Sequence, residues 1–281
     1  MALMTYALKN NKLVHVDDVE SGIACGCVCP SCGVNLIARK GEINVHHFAH
    51  SSSCECKSGY ETSLHLLAKE ILSETGEILL PPVKLCGESH TTNVFLIGRH
   101  RIKSFDNVYT EKRTGDIIPD LILEKNKREL IVEIYVTHKV DDAKLQKIKD
   151  LGISAIEIDL SQTEKSISKQ ELKDLLLNSI ENKRWLYNSK AEEKFIEICK
   201  NSEIKPIFHR GFASHIDYCP REVRTWNGRR YTNLPYANLY DDCSDCKYFI
   251  KYYNDDDNEY IICNGKNKMI DDIKQTKEKL L

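Results

Sequence analysis

The sequence predicts a mixed α/β domain with a cysteine-rich module on each side of it. Between residues 60 and 165, short apolar runs typical of strands alternate with segments of helical periodicity. Ten of the twelve cysteines gather outside this region, six of them between Cys25 and Cys56 and four between Cys219 and Cys263. In a reducing compartment, two such clusters indicate bound metal rather than disulfide bonds.

Composition narrows the class of protein. Hydrophobic residues make up 41% and charged residues 29% of the 281 positions, which is typical of a globular protein. No apolar run approaches the roughly 18 residues of a membrane span, and residues 1–11 lack the pattern of a signal peptide. We therefore expect a cytoplasmic protein that does not contact membranes. The net charge of −2 means that any binding to nucleic acid must come from a local patch.

The elements of the core follow from periodicity and turn signals. Residues 60–75 present an apolar stripe at helical spacing, and residues 94–98 and 104–111 resemble strands. Residues 120–124 and 129–136 flank a polar turn, which predicts a hairpin. A helix over 141–151, ended by Gly152, leads to a strand over 155–160, and this spacing predicts a parallel crossover in a mixed sheet. We expect further helices over 168–182 and 191–201.

The first metal motif is Cys29-Pro-Ser-Cys32-Gly33 followed by His47-Phe-Ala-His50. Two thiolates on a tight turn and two imidazoles form a ligand set that suits tetrahedral Zn²⁺. We predict Cys29, Cys32, His47 and His50 as the ligands. Other residues lie close enough in sequence to replace one of the four, namely Cys25, Cys27, His46, Cys54 and Cys56.

The second metal motif lies near the C-terminus. Cys219, Cys243, Cys246 and Cys263 provide four thiols in a segment with few aliphatic runs, which predicts a Cys₄ zinc ribbon. Only Cys243 and Cys246 have CxxC spacing, so the alternative is a set of buried thiols without metal. With the first motif, this predicts two structural zinc ions.

A third group of residues consists of carboxylates. Asp120 opens one predicted strand, and Glu133 lies thirteen residues later in the apolar run Ile131-Val-Glu-Ile134. A carboxylate inside such a strand must be paired or must hold a metal ion. Carboxylates from two paired strands can converge on one Mg²⁺ or Mn²⁺, which activates water for attack on a phosphate.

The helix before this core adds Glu61, His65 and Lys69, which share one face at i, i+4 and i+8. Glu61 is a candidate for a further metal ligand or a group that positions water. The alternative is a surface stripe with weak pairing between its charges.

These motifs, in this order, resemble the competence protein CoiA-like family. The matching pieces are CPSCG, HHFAH, the helix from Glu61, Ile118-Pro-Asp120, the segment from Val132 to Lys144, and EIDLS at residues 157–161. The resemblance covers roughly residues 25–165. It implies a PD-(D/E)XK nuclease with a restriction-endonuclease-like mixed sheet and flanking helices, which cleaves DNA in competence or in the handling of foreign DNA. Asp120 and Glu133 would bind metal, and Glu61 would be the acid on the helix.

These motifs predict four domains. They are an N-terminal zinc-binding module over residues 1–57, a nuclease-like core over 58–165, a helical connector over 166–204, and a C-terminal Cys₄ zinc ribbon with its tail over 205–281.

The sequence departs from the nuclease motif at Tyr135, where a lysine is usual. Lys144 on the next helix is a candidate for the missing cation, and His138 is a candidate base or phosphate contact. The leading hypothesis is a Mg²⁺-dependent endonuclease. The alternative is a catalytically degenerate, zinc-dependent DNA-binding or adaptor protein. No particular protein partner or oligomeric state follows from the sequence.

Residues 205–235 are locally basic. Guanidinium groups can bind phosphates and aromatic rings can stack on bases, so this segment is a candidate nucleic-acid surface. Its predicted contacts are Arg221, Arg224, Trp226, Arg229 and Arg230. The alternative is an ordinary solvated surface with a small aromatic core.

Overall fold

The structure is a computed structural model. It describes residues 3–52, 56, 58–85, 95–97, 100–103, 105–164, 166–228, 232–255 and 258–265. The chain divides into two compact units, Met1–Pro81 with Arg99–Tyr187 and Pro82–Gly98 with Asn188–Leu281. Within the described ranges, no helix is both long enough and apolar enough to cross a membrane.

The described residues form four α-helices and twenty strands. The helices are α1 (Gly59–Thr75), α2 (Asp142–Leu151), α3 (Lys169–Asn178) and α4 (Ser189–Lys200). The strands of the first half are β1 (Tyr6–Lys9), β2 (Lys12–His15), β3 (Leu36–Arg39), β4 (His47–His50), β5 (Glu77–Leu80), β6 (Val83–Leu85), β7 (Phe95–Ile97), β8 (His100–Lys103), β9 (Asn107–Thr110), β10 (Leu121–Lys125) and β11 (Arg128–Tyr135). Those of the second half are β12 (Ser154–Asp159), β13 (Lys183–Tyr187), β14 (Glu203–Pro206), β15 (Phe208–Arg210), β16 (Ala213–Asp217), β17 (Arg224–Asn227), β18 (Thr232–Asn238), β19 (Phe249–Asp255) and β20 (Asn258–Cys263).

A five-stranded mixed sheet forms the centre of the first unit. Its strand order is β13-β12-β11-β10-β9. Strands β11 and β12 are parallel, and the other neighbours are antiparallel. Helix α2 makes the crossover between the parallel pair. The predicted hairpin, crossover and mixed α/β sheet are therefore confirmed.

Side chains alternate between the two faces of this sheet, and each face has its own apolar core. Val132 and Ile156 pack on one face with Leu67 of α1 and Leu172 of α3. On the opposite face, Ile131 packs with Ile148 of α2. Helices thus cover both faces. Glu133 shares the α2 face with Ile131 because the two are separated by one residue.

The N-terminal segment of the first unit forms two hairpins, β1 with β2 and β3 with β4. A small core of Met4, Val16, Leu36 and Phe48 fills this region, and the buried side chains of Cys25 and Cys27 belong to it. The Cys25 thiol donates to the carbonyl oxygen of Leu36 at 3.2 Å. These two cysteines therefore pack as core residues.

The second unit contains a three-stranded sheet, β14-β20-β19, and a four-stranded sheet, β15-β16-β18-β17. The helix α4 packs through Ile198 against Ile250 and Ile262 of the three-stranded sheet. Strands β6 and β7 form a separate antiparallel pair.

Two predicted elements differ from the structure. The helix expected over residues 168–182 ends at Asn178, and residues 183–187 form the edge strand β13. The Trp185 indole explains this strand, because it packs against the α1 core and donates to the Pro81 carbonyl oxygen at 3.0 Å. The predicted connector over 166–204 therefore contributes α3 and β13 to the first unit. The helical tail expected from residue 266 lies outside the described residues.

Candidate metal centres

Four side chains at the N-terminus form a compact group of metal-binding atoms. The ligand atoms of Cys29, Cys32, His50 and Cys56 all lie within 4.8 Å of one another. The Cys29 and Cys56 sulfur atoms are 3.9 Å apart, and the Cys32 sulfur is 3.4 Å from His50 Nε2. Zn–S bonds of about 2.3 Å at a tetrahedral ion place sulfur atoms at comparable separations. This group can bind a zinc ion.

The local sequence explains how the first two ligands meet. The amide of Gly33 donates to the Cys29 carbonyl oxygen at 2.9 Å, and the Cys29 amide donates to that of Val34 at 2.9 Å. Gly33 has a φ of 71°, which is the left-handed region that glycine adopts most easily. The chain therefore reverses tightly and places Cys29 and Cys32 on the same side of the turn.

The ligand set differs from the prediction at one position, where Cys56 stands in place of His47. His47 lies in β4 with His50, and side chains three positions apart on a strand point to opposite faces. His47 Nδ1 lies 2.9 Å from the Val45 carbonyl oxygen, and His46 Nδ1 lies 2.6 Å from Asp17 Oδ1. Cys54, another alternative, lies outside the described residues.

The Cys56 thiol is more acidic than the Cys29 thiol. Burial works to raise its pKa, but hydrogen bonds from Ser31, Cys32, Cys29 and the Ser58 amide lower the pKa to about 7. Burial raises the pKa of the Cys29 thiol to about 11. A thiolate at Cys56 is therefore accessible near neutral pH, and zinc needs thiolates as ligands.

Helix α1 begins directly against this cluster. A Cβ atom on Gly59, its first residue, would lie 3.0 Å from the Cys29 sulfur and 3.3 Å from Met4 Sδ. The absence of a side chain at Gly59 lets the helix approach the sulfur atoms closely. The positive end of the helix dipole lies beside these sulfur atoms and would stabilise the thiolates that zinc binding requires.

The carboxylates of the central sheet lie next to each other across two strands. Leu121 of β10 is paired with Val132 of β11, so Asp120 and Glu133 occupy the next position along the ladder. Residues at such a position have Cβ atoms about 5 Å apart. The hairpin thus brings the two predicted carboxylates together.

Asp120 is surrounded by donors. Its Oδ1 atom is 2.9 Å from Lys69 Nζ and 3.5 Å from His65 Nδ1, and its Oδ2 atom accepts from the Ile134 amide at 2.8 Å. Burial would raise the pKa of Asp120, but these partners together hold it well below its usual range. Lys69 is buried and also pairs with Glu111 at 3.0 Å. His65 and Lys69 of the helix stripe therefore belong to this carboxylate centre and not to a solvated surface.

Glu133 is buried, with 4% of its surface exposed. Lys144 of α2 reaches its Oε2 atom at 2.7 Å. The Oε1 atom is buried and has no hydrogen-bond partner among the described residues. Burial raises the pKa of Glu133 to about 7, Lys144 opposes that shift, and the negative charge of Asp120 adds to it.

One residue that the sequence analysis did not single out adjoins this centre. Glu157 of β12 is paired with Glu133 in the parallel ladder and is 1% exposed. Its Oε1 atom accepts from the Val140 amide at 2.9 Å, and its Oε2 atom is 2.6 Å from Arg184 Nε. Glu157 therefore anchors the loop that leads into α2, the helix of Lys144. The sequence feature that could have identified Glu157 is its position inside the apolar run Ala155-Ile-Glu-Ile158.

The remaining predicted catalytic residues lie apart from this contact network. His138 is exposed, and the Tyr135 ring lies under Lys139 Nζ at 5.3 Å from its centroid. Glu61 is half-buried one turn before His65. In the part of the chain that the structure describes, the N-terminal cluster is the one group of three or more metal-binding side chains within 4.8 Å, so Glu61, Asp120 and Glu133 form no such group.

The predicted nucleic-acid surface of the second unit is largely occupied by internal contacts. Arg224 pairs with Asp242 at 2.7 Å and with Asp241 at 3.4 Å, and the Trp226 ring stacks on Tyr236 with centroids 4.1 Å apart. Arg221 Nη1 lies 3.7 Å from the Cys246 sulfur. Arg229 and Arg230 lie outside the described residues. Arg224 and Trp226 therefore serve the packing of this unit.

Residues 20–59 match the family model described as Competence protein CoiA, N-terminal domain. The chain therefore carries a CoiA N-terminal domain. This match confirms the predicted CoiA-like family and fits a function related to competence. The CoiA match covers all four ligands of the cluster, namely Cys29 and Cys32 in the turn before β3, His50 on β4, and Cys56, and it ends before Asp120 and Glu133. Searches of curated proteins and of solved structures found no match for the chain.

Proposed function

We propose that this CoiA-like chain is a metal-dependent nuclease that cleaves DNA phosphodiester bonds, with Asp120 and Glu133 as the ligands of Mg²⁺ or Mn²⁺. The observation that carries the proposal is the Glu133 carboxylate. A buried carboxylate oxygen without a partner is costly, and coordination of a cation removes that cost. Asp120, at the same position of the paired strand, supplies a second oxygen ligand.

The donor set suits a hard cation, since Mg²⁺ and Mn²⁺ prefer carboxylate oxygen. A cation bound there would lower the pKa of a coordinated water and offset the charge of the phosphate. The restriction-endonuclease-like fold implied by the sequence resemblance agrees with a mixed sheet covered by helices on both faces. A fold alone does not establish activity, so the proposal depends on the carboxylates.

The protein's own residues prepare this centre for an anionic substrate. Lys144 provides the cation that Tyr135 cannot, and its ammonium group favours the ionised form of Glu133. Lys69 and His65 keep Asp120 ionised. Glu157 holds the loop before α2 and so fixes where Lys144 lies. Ionised Asp120 and Glu133 are the forms that a divalent cation can bind.

Cleavage of supercoiled and linear DNA with Mg²⁺ or Mn²⁺ tests the proposal. Glu133→Gln keeps the size of the side chain and removes the charge, so we expect at least about a hundredfold loss of rate. Glu129→Gln, on the same strand, is the matched control and should cut like the wild type. Equal rates in all three proteins would show that Glu133 is not a ligand of the catalytic ion.

A second candidate function is favoured by Tyr135 and by the ion pairs already made by both carboxylates. In this case the core is catalytically degenerate, and the chain binds DNA or acts as a zinc-dependent adaptor. DNA binding would then weaken steeply with salt and would not depend on Mg²⁺. The wild type would leave every DNA substrate intact, so a single metal-dependent nick that Glu133→Gln fails to make would exclude this candidate.

A further inference from the structure

The four cysteines of the second unit line one small cavity. Cys219, Cys243, Cys246 and Cys263 surround an opening of about 20 Å³ together with Lys205 and Arg221. None of the ten cysteines that the structure describes lies in a disulfide bond. An opening of this size can hold one water-sized occupant, and an ion is smaller than that.

The backbone presents each thiol from a tight turn. The Cys246 amide donates to the Cys243 carbonyl oxygen at 3.0 Å, and the Glu222 amide donates to that of Cys219 at 3.0 Å. Cys263 ends β20, and the Gly265 amide donates to its sulfur atom. Amide donors of this kind stabilise a sulfur that carries negative charge. Three turns from distant parts of the unit thus direct their thiols at one point.

The turns of Cys219 and Cys263 are packed directly on each other. A Cβ atom on Gly265 would overlap the ring of Pro220 and would lie 3.3 Å from the Cys263 sulfur. Glycine at this position therefore allows the two turns to meet. The contact holds the turns of Cys219 and Cys263 together although the two cysteines lie 44 positions apart in the sequence.

Two cations adjoin the thiols. Lys205 is buried and lines the cavity, and it pairs with Glu203 at 3.0 Å. The Arg221 guanidinium donates to the Cys246 sulfur. Four thiolates around Zn²⁺ carry a net charge of −2, and buried charge must be compensated. Arg221 adjoins this charge directly, and Lys205 adds a positive charge that it shares with Glu203.

We propose that Cys219, Cys243, Cys246 and Cys263 bind one structural Zn²⁺ in the second unit. The chemistry is specific, because four thiolates in a closed site select Zn²⁺ over the hard cations of the carboxylate centre. Their sulfur atoms are spaced more widely than the ligand atoms of the N-terminal cluster. The thiols therefore close in around the ion when it binds. This inference is independent of the nuclease proposal.

Electrostatics of the metal-free unit agree with this arrangement. Burial, and after it the neighbouring thiols, raise the pKa of Cys243 to about 12. Burial also raises the pKa of Cys263 to about 11. Cys243 and Cys263 are therefore neutral without metal, which suits an apolar cavity, and zinc binding must displace their protons.

Zinc analysis of purified full-length variants tests the inference. The wild type should hold two zinc ions per chain. Cys246→Ser and Cys32→Ser should each hold one, and the double variant should hold none. Cys199→Ser is the matched control, since it changes a cysteine of the same unit outside the cavity, and it should retain both. A wild type and a Cys246→Ser protein with the same zinc content would overturn the inference.

A measurement on the wild type alone covers the case in which Cys246→Ser fails to fold. Native protein is alkylated with N-ethylmaleimide before and after treatment with a strong chelator, and the modified peptides are quantified. Removing zinc should increase modification of Cys219, Cys243, Cys246 and Cys263 at least severalfold and leave Cys199 unchanged. Unchanged modification of those four cysteines would also overturn the inference.

Discussion

The two cysteine clusters use the same chemistry in opposite surroundings. In the N-terminal cluster, hydroxyl, thiol and amide donors surround Cys56 and lower its pKa to about 7 despite burial. In the C-terminal cluster, an apolar cavity surrounds Cys243, and burial raises its pKa to about 12. The first cluster is also compact and includes His50. The second consists of thiols alone, and its sulfur atoms are spaced more widely.

This difference shows that the spacing of cysteines in the sequence does not determine whether their thiols are ionised and close together before metal binds. Donors around Cys56 stabilise a thiolate before any ion arrives, so little rearrangement is needed. Cys243 and Cys263 are stable as neutral members of a small core and must lose their protons when zinc binds. The N-terminal site should therefore contribute more net free energy to folding.

The largest expected effect comes from removing one ligand in each cluster. Zinc binding free energy becomes folding free energy, so Cys56→Ser should destabilise the first unit by at least about 5 kcal/mol. Cys246→Ser should destabilise the second unit by less. Thermal unfolding of zinc-loaded protein measures both. Cys25→Ala is the control in the first unit, because Cys25 is buried but is no ligand, and it should cost only about 1–2 kcal/mol. A greater loss of stability for Cys246→Ser than for Cys56→Ser would show that the C-terminal site contributes more to folding.

Two glycines that touch cysteine sulfur atoms sharpen the comparison further. Gly265→Ala should cost about 2–3 kcal/mol, because the new methyl group overlaps the Pro220 ring in a packed turn. Gly59→Ala should cost less, about 1–2 kcal/mol, because its methyl group would lie 3.0 Å from the Cys29 sulfur, which is a smaller overlap, and because alanine favours the helix. Chemical unfolding of the two variants measures the difference. Equal costs would mean that the C-terminal turns are not packed as tightly as the structure has them.

Burial also raises the pKa of Glu133, which lies in the same unit as Cys56. Its pKa is raised from 4.5 to about 7, so the folded state binds the proton more tightly than the unfolded state. The stability that this provides is complete below about pH 4.5 and is lost as the pH rises through about 7. Glu133→Gln avoids that loss and should be more stable than the wild type at pH 8, by about 1–2 kcal/mol, in metal-free protein.

Melting temperatures between pH 5 and pH 8 test this expectation. The advantage of Glu133→Gln over the wild type should grow with pH and should shrink when Mg²⁺ or Mn²⁺ is added, because only the wild type binds the ion. Glu129→Gln should show neither trend. A variant less stable than the wild type at pH 8 would mean that the Lys144 pair outweighs the cost of burial.

The sequence alone predicted those features that depend on residues close together in the chain. The turn at Cys29-Pro-Ser-Cys32-Gly33 is set by five consecutive residues, and the hairpin of Asp120 and Glu133 follows from two apolar runs around a polar turn. His47 is not part of the cluster, because His47 and His50 lie three positions apart on strand β4 and side chains at that spacing point to opposite faces. Strand alternation would have separated the two histidines.

Contacts between segments that are distant in the chain could not be predicted from the sequence in the same way. Cys56 joins the cluster only because the chain returns to it just before α1. Lys69 reaches Asp120 because α1 packs on the sheet, which decides between a surface stripe and a buried pair. Glu157 needs the parallel register of β11 and β12 before its position next to Glu133 is apparent. Tertiary packing, rather than local propensity, determines each of these contacts.

The smallest expected effect concerns the choice of metal. The C-terminal set has four sulfur ligands, whereas His50 replaces one sulfur in the N-terminal set. Soft ions prefer sulfur, so Cd²⁺ should displace Zn²⁺ more readily from the C-terminal site, by on the order of a few-fold in concentration. Cys32→Ser and Cys246→Ser each retain one site, and zinc released into a chromophoric chelator during Cd²⁺ titration measures them separately. Easier displacement from the N-terminal site would show that openness to solvent, rather than ligand softness, controls exchange.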